Sequence, residues 1–179
     1  MGELFNNYCI VGNSDSELHT NNGALIDSFD QIFRFNNFKL QKYEKDYGAY
    51  TTHWVTTFAV DVTPKKNIMS IVCPLPLNHS EYIKRYGYTN LNELEDNLLR
   101  TTFIPVEYYN ELIQLIPNPS TGMCLLWWIK KENGWVDPNR VFGFDFFDEN
   151  KRHHYFDEFS ECYHDGNSEK LLFKQLCKR

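Results

Sequence analysis

Several patterns typical of metal and nucleotide sites are missing from this chain of 179 residues. The sequence has no HExxH pair, no DxD acidic motif and no GxGxxG fingerprint, which argues against a zinc protease, a metal-dependent nucleotide site and a dinucleotide fold. Its five cysteines form no CxxC pair and their number is odd, so neither a zinc knuckle nor a disulfide framework is expected. We predict reduced thiols, a cytoplasmic location and no metal or cofactor.

Excess positive charge and long apolar runs are missing as well. The formal net charge of −6 argues against a broad basic surface and therefore against a nucleic-acid partner, while a local polar pocket for one small anion stays open. No apolar run approaches the roughly 20 residues of a membrane span. The opening "MGELFNNYCIVGNS" lacks the pattern of a signal peptide, so we expect a cytoplasmic protein.

Short apolar runs alternate with segments of helical spacing. Strands are predicted at Tyr8–Gly12, "QIFRF", Thr52–Phe58, Asn67–Pro74 and Arg140–Phe147. Helices are predicted at "GALIDSF", "NLNELEDNLL", "VEYYNELIQLI", "NPSTGMCLLWWIKKENG" and "SEKLLFKQLCK", the last with an apolar stripe of Leu171, Leu172 and Leu176. The alternation predicts an α/β fold with a largely parallel sheet in one domain, residues 1–179.

Small polar residues follow the predicted strands where ligands bind in such folds, in the loops after Gly12, Phe35 and Phe144. Gly12 would let the backbone approach a nucleotide, beside Asn13 and Ser14; an ordinary strand-to-helix turn is the alternative. Asn36 is either a ligand contact or a turn residue. For His53, at the start of a predicted strand, we favour a hydrogen-bonded structural role over catalysis.

The stretch "PNPSTG" opens the longest predicted helix. Ser120 or Thr121 can cap its start, and Asn133 with Gly134 can close its end. The first turn of a helix offers N–H groups and a positive dipole end to an anionic group, and Gly122 lies in that turn. Capping alone is the equally simple explanation of these residues.

Half of the six histidines, His153, His154 and His164, lie in the stretch "KRHHYFDEFSECYHDGNSEK". Their spacing fits no common zinc site, and a metal would need carboxylate partners such as Asp157, Asp165 or Glu169. Proton chemistry suits imidazole, which titrates near working pH. Solvated loop histidines are the alternative.

Taken in order, these pieces resemble the four sialylmotifs of the sialyltransferases, glycosyltransferase family 29. "CIVGNSDSEL", "IDSFDQIFRFNNF" and "EKDYGAYTTH" are similar to the long motif, and "NPSTGMCLLWWI" with "VFGFDFF" to the short motif. "HYFD" resembles the third motif, and His164 with Glu169 the very short motif. The cysteine pair of the family is not matched, since Tyr8 stands at the first position. The chain resembles a short microbial member.

The resemblance implies a Rossmann-like domain of the GT-A-variant architecture and an inverting, metal-independent transfer of sialic acid from CMP-sialic acid to a glycan or glycolipid hydroxyl. It implies His164 as the base that deprotonates the acceptor and His154 as the donor to the departing phosphate. Glu169 and Gly12 would play supporting roles. The residues implied to bind the nucleotide are Asn13, Ser14, Asn36, Ser120, Thr121, Gly122, Gly143 and Tyr155.

Other functions stay open at this point. A transferase for CMP-Kdo, a CMP-sugar hydrolase, and a non-catalytic CMP- or glycan-binding remnant would share the same nucleotide residues. The basic tail "KLLFKQLCKR" could also make a peripheral contact with the inner face of a membrane, although packing of this helix on the core is favoured.

Overall fold

In the computed structural model, parallel strands form one sheet in the order β5-β4-β3-β2-β1-β6. The structure describes residues 5–59, 61–66, 68, 70–77, 90–147, 154–156 and 164–179. His153, Asp157 and Cys162 lie outside these ranges. The strands are β1 (Tyr8–Val11), β2 (Gln31–Phe35), β3 (His53–Val55), β4 (Ser70–Cys73), β5 (Thr101–Phe103) and β6 (Val141–Phe142). All five pairings between them are parallel, as predicted.

Helices cover both faces of the sheet. They are α1 (Gly23–Ile26), α2 (Glu44–Tyr47), α3 (Leu91–Asn97), α4 (Val106–Leu115), α5 (Thr121–Asn133) and α6 (Gly166–Leu176), with 3₁₀ turns at Asp15–Glu17, Leu98–Arg100 and Pro138–Arg140. The α/β class is therefore confirmed, while the single domain of residues 1–179 stays a prediction.

The sheet has an apolar core on each face, because successive residues of a strand point to opposite faces. Ile10 and Phe33 pack with α4, α5 and α6 on one face, whereas Cys9 and Ile32 pack with α1 and α2 on the other. Because both faces are covered, all of β1 and the last four residues of β2 are buried, which is typical of parallel sheets.

The longest helix begins and ends at the predicted residues. The Ser120 hydroxyl accepts a hydrogen bond from the N–H of Met123 (3.1 Å), so Ser120 rather than Thr121 is the cap. Gly134 ends α5 with φ of 81°, the left-handed conformation that glycine adopts at little cost.

The strand predicted at Arg140–Phe147 is wrong beyond Phe142. Gly143 turns the backbone to φ of 66°, and Phe146 and Phe147 both have φ of 57°, so the chain leaves the sheet. Strand β5 was not predicted, because three partly exposed residues at a sheet edge show no apolar alternation. The stripe on α6 is partly wrong, since Leu172 and Leu176 are buried but Leu171 is 62% exposed.

Candidate functional site

A cavity of about 370 Å³ opens at the carboxyl ends of β1, β2 and β6. Strand β1 lies between β2 and β6, so the cavity is at the point where the strand order changes direction, the usual ligand site of such folds. Its volume suits a small-molecule ligand. The lining residues are Gly12, Asn13, Ser14, Phe35, Asn36, Asp61, Ser120, Thr121, Gly122, Gly143, Phe144, Asp145, Phe146, Phe147, His154, His164 and Glu169.

Two walls of this cavity have different origins. The strand wall consists of Gly12–Ser14 and Phe35–Asn36, which directly follow or end β1 and β2. The loop wall consists of Gly143–Phe147, His154 and His164, which lie between β6 and α6. The start of α5, Glu169 of α6 and Asp61 complete the lining. All three predicted ligand loops therefore meet at one cavity.

Two asparagines on the strand wall are bonded to the sheet, Asn13 through its side chain and Asn36 through its backbone. The Asn13 amide donates to the carbonyl of Phe35 (3.1 Å), which joins the ends of β1 and β2. The N–H of Asn36, at φ of 44°, donates to the carbonyl of Val55 (2.9 Å). Within the described structure the side-chain oxygens of both asparagines are buried without a hydrogen-bond partner. Since such groups are costly unless satisfied, a ligand with hydrogen-bond donors would complete them.

Glycines allow the two walls to touch. The N–H of Gly12 donates to the carbonyl of Phe142 (2.8 Å), and that of Ser14 to the carbonyl of Gly143 (3.1 Å). A Cβ on Gly143 would lie 2.6 Å from the carbonyl oxygen of Gly12, and one on Gly122 would lie 2.7 Å from the Phe144 ring. Side chains at these positions would force the walls apart.

The start of α5 is tied to α6 by a buried carboxylate. Glu169, only 2% exposed, accepts from the N–H (2.6 Å) and the hydroxyl (2.7 Å) of Ser120. Burial raises the pKa of Glu169, and the two bonds from Ser120 oppose that rise. Ser120 thus commits both donors to the fold. Thr121 and Gly122 open α5, where helix geometry gives N–H groups no intrahelical acceptor, so these two can donate to a ligand.

His164 is fixed in one tautomer by its neighbour. Its Nδ1 lies 3.0 Å from the carbonyl oxygen of Asn118. A carbonyl oxygen can only accept, so Nδ1 carries a hydrogen, and in the neutral ring the lone pair is then on Nε2. An imidazole held in this way is oriented to take up a proton at Nε2.

His154 enters the cavity from a different segment. Its ring stacks on the Phe156 ring, with centroids 5.1 Å apart. The Nζ of Lys39 lies 4.8 Å from the centroid of the same Phe156 ring. His154 and His164 both line the cavity, so the structure brings together the two histidines that the resemblance implied as catalytic.

Tyr155 lies behind the cavity rather than in its lining. Its side chain is 3% exposed and stacks on Tyr47 (3.9 Å), and its hydroxyl accepts from the N–H of Lys39 (3.0 Å) and donates to the carbonyl of Lys39. Its own N–H donates to the carbonyl of Asn13 (2.8 Å). Tyr155 thus anchors His154 to the strand wall, and its predicted role in nucleotide binding stays a prediction.

His53 is placed as a structural residue. Its Nδ1 lies 2.8 Å from the Thr52 hydroxyl and its ring stacks on Phe33 at 4.3 Å. Burial lowers the pKa of His53 to about 4. It is not among the residues lining the cavity.

The charges of the cavity are unexpected for an anion site. Among the described lining residues there is no lysine or arginine, whereas Asp61, Asp145 and Glu169 are acidic. Among the described lining groups, the N–H groups at the start of α5 supply positive potential. Within the described ranges, no three His, Cys, Asp or Glu side chains come together as metal ligands. Metal independence stays a prediction.

The aromatic part of the lining was missed by sequence reasoning. The Phe144 ring packs against both Gly12 and Gly122, and Phe35 meets it edge to face at 5.7 Å. The sequence signal for an aromatic lining was the stretch "VFGFDFF", in which three of the four residues after the glycine are phenylalanines. It was assigned to a strand, and the left-handed conformations of Phe146 and Phe147 place these rings at the cavity instead.

Comparison with known proteins agrees with this geometry. Residues 4–84 match the model of glycosyltransferase family 29 (sialyltransferase). The resemblance to the sialyltransferases is confirmed. The fold is similar to two solved structures of a mammalian sialyltransferase, one of them in complex with Gal-beta-1-3GalNAc-ortho-nitrophenol, with TM-scores of 0.65 and 0.64. Identity is 20% in both, over 93% of this chain and 64% of theirs.

This chain thus spans less than two thirds of the length of those structures. No curated protein sequence matches it significantly. Within the described ranges, no helix has the length and apolarity needed to cross a membrane. Four cysteines, Cys9, Cys73, Cys124 and Cys177, are free thiols. The GT-A-like architecture is confirmed. Tyr8, which stands at the first cysteine position of the long motif, packs in the core.

Proposed function

We propose that the protein is a glycosyltransferase that transfers sialic acid from CMP-sialic acid to a hydroxyl of a glycan or glycolipid, with inversion and without a metal. The observation that carries the proposal is the shared cavity. Two histidines, two asparagines with buried oxygens and the first turn of α5 line one space at the switch point of the sheet. The family-model match over residues 4–84 supports the same activity.

The strand wall and α5 would bind the nucleotide. The buried oxygens of Asn13 and Asn36 accept hydrogen bonds, so they suit ribose hydroxyls or the cytosine amine. The N–H groups of Thr121 and Gly122 donate at the positive end of α5, which suits an anionic group or a carbonyl. Gly143 supports this binding by allowing the close approach of the two walls.

The loop wall would handle protons and developing charge. A sugar hydroxyl is a poor nucleophile, and a positioned base accelerates its attack by about 10²–10⁴-fold. His164 has the tautomer for this role, with Nε2 as proton acceptor. Negative charge grows on the leaving phosphate as the glycosidic bond breaks, and His154 would stabilise it by donating a hydrogen bond or a proton.

Titration and product analysis test the proposal. We expect calorimetry to show CMP binding, and CMP-sialic acid to be consumed with a panel of nitrophenyl glycosides of galactose, N-acetylgalactosamine and sialic acid. EDTA should leave turnover intact. Loss of turnover restored by Mg²⁺ or Mn²⁺ would contradict metal independence. Turnover of CMP-Kdo alone, or donor hydrolysis at the same rate without acceptor, would reassign the reaction, and CMP binding without turnover of any donor would indicate a binding protein.

The proposal includes a cytoplasmic location with a peripheral contact at the inner face of a membrane. Leu172 and Leu176 are buried in the core, and the exposed side of α6 carries Lys170 and Lys174 beside the exposed Leu171. Lys178, just after the helix, continues the four-residue spacing of the lysines. Such a row attracts anionic lipid. Sedimentation with phosphatidylglycerol vesicles should carry the protein down at low salt, and a Lys170→Gln, Lys174→Gln, Lys178→Gln variant should stay in solution. Equal sedimentation with phosphatidylcholine vesicles would contradict the contact.

A further inference from the structure

Two consecutive phenylalanines of the loop wall have left-handed backbone conformations. Phe146 and Phe147 both have φ of 57°. Residues with a bulky side chain rarely adopt this region, and such strained conformations persist where the surroundings fix them, often at ligand sites. The two residues are called the Phe146–Phe147 turn below.

The turn is held from two sides. The N–H of Phe147 donates to the Asp145 carboxylate at 2.9 Å. On the other side, α6 begins against the turn, since a Cβ on Gly166 would collide with the carbonyl oxygen of Phe146. The Phe146 ring packs against Phe173 of α6 at 5.0 Å. The turn is therefore fixed to the helix that starts two residues after His164.

Fixing the turn places an aromatic ring beside the proposed base. The Phe147 ring centroid lies 5.4 Å from that of His164, with the two planes inclined by 35°. Both side chains line the cavity. A ligand at this position meets an apolar surface and, next to it, a nitrogen that accepts a proton.

A pyranose matches this pair of groups. One face of a sugar ring presents C–H groups that pack on an aromatic ring, while its hydroxyls extend outward from the ring edge. A sugar packed on Phe147 can therefore direct one hydroxyl to Nε2 of His164. The buried asparagine oxygens that suit the nucleotide belong to the strand wall, so the two ligands would not compete for the same groups.

We propose that Phe147, presented by the Phe146–Phe147 turn, is the stacking platform for the acceptor sugar and thereby a specificity-determining residue. This inference rests on the proposed function. It assigns the acceptor, a pyranose glycoside, to the end of the cavity nearest α6.

Steady-state kinetics at saturating CMP-sialic acid test the inference, with the nitrophenyl glycoside of the panel that the wild type uses best. Phe147→Leu keeps apolar volume but removes the ring, and we expect the acceptor KM to rise about tenfold or more. Phe147→Tyr should restore the acceptor KM to within about threefold of the wild type. The CMP Kd should stay within about twofold in both variants. Phe103→Leu, a change of the same kind at the distant edge strand β5, is the matched control.

Distinct outcomes separate this inference from the proposed function. An unchanged acceptor KM in Phe147→Leu overturns the platform while transfer itself stands. A parallel rise in the CMP Kd reassigns Phe147 to the nucleotide, and an equal effect in Phe103→Leu shows a global disturbance; either result overturns the inference. A wild type that binds CMP but turns over no glycoside overturns both proposals.

Discussion

The strand wall and the loop wall of the cavity are built in opposite ways. Asn13 and Asn36 follow buried strands and are held by backbone hydrogen bonds within one sheet. His154 stacks on Phe156, and His164 bonds to the carbonyl oxygen of Asn118, so their described contacts are with residues outside the sheet. The rigid wall thus carries groups suited to binding, and the wall made of loops carries groups suited to proton transfer.

Hydrogen bonds support the parts of the chain next to the two histidines. Tyr155 joins the segment of His154 to Asn13 through a backbone bond of 2.8 Å. Glu169 joins α6 to the start of α5. Catalytic geometry has to be held within a fraction of an ångström, so residues on loops need such supports. The difference between the two walls predicts that substitutions in the loop wall alter turnover and that substitutions in the strand wall alter nucleotide affinity.

The largest expected effect concerns His164. His164→Asn retains a donor for the Asn118 carbonyl but has no basic nitrogen, so kcat should fall by about 10²–10⁴-fold. Calorimetry should show CMP binding within about twofold of the wild type. His19→Asn, at an exposed histidine, should leave both quantities unchanged. Near-normal turnover of His164→Asn would show that the loop wall does not supply the base.

The next effect concerns the connection through Glu169. Glu169→Ala leaves the buried N–H and hydroxyl of Ser120 without their acceptor, so the free energy of unfolding should fall by about 2–3 kcal/mol. Urea unfolding measures this change, and Glu95→Ala at an exposed position of α3 is the control. We also expect weaker CMP binding, since the first turn of α5 loses its anchor. Full stability would mean that Ser120 finds another acceptor and that the connection is dispensable.

A smaller effect is expected at the strand wall. Asn13→Ala removes a buried oxygen that lines the cavity and the bond to Phe35, so CMP affinity should fall about tenfold. At saturating donor, kcat should change less than in His164→Asn. Asn139→Ala, at an exposed asparagine, serves as the control. If Asn13→Ala lowers kcat as severely as His164→Asn with unchanged CMP affinity, the division between the walls is wrong.

Sequence reasoning correctly predicted features that a short stretch of sequence is enough to indicate. The apolar run of Tyr8–Val11, the cap at Ser120 and the paired histidines are local signals, and the parallel fold brings their loops to one edge of the sheet. It failed where packing overrides pattern. The aromatic run after Gly143 alternates like a strand, yet contacts with Gly12, Gly122 and Gly166 turn it into cavity lining.

Tyr155 shows a further limit of the sequence. Its motif resembles one linked to nucleotide binding, but its ring is buried against Tyr47 and its hydroxyl is bonded to Lys39. Whether a side chain faces a ligand or supports the wall behind it depends on the direction of one loop, and residue type alone does not determine that direction. The bond of Glu169 to Ser120, across 49 positions, is likewise a tertiary contact that no local pattern encodes.

The smallest expected effect concerns His53, which lies outside the cavity. Because His53 belongs to the sheet and has no proposed catalytic role, its substitution tests whether proton chemistry is confined to the loop wall. Its pKa is lowered from 6.5 to about 4 by burial, so the unfolded chain binds the proton more readily than the folded one. The stability contributed by the neutral ring is complete above pH 6.5 and is lost as the pH falls toward 4. His53→Phe should retain the stacking on Phe33 and remove this part of the pH dependence, measured by urea unfolding between those limits. Turnover of the variant at pH 7.5 should match that of the wild type; a loss comparable to that of His164→Asn would show that proton chemistry is not confined to the loop wall.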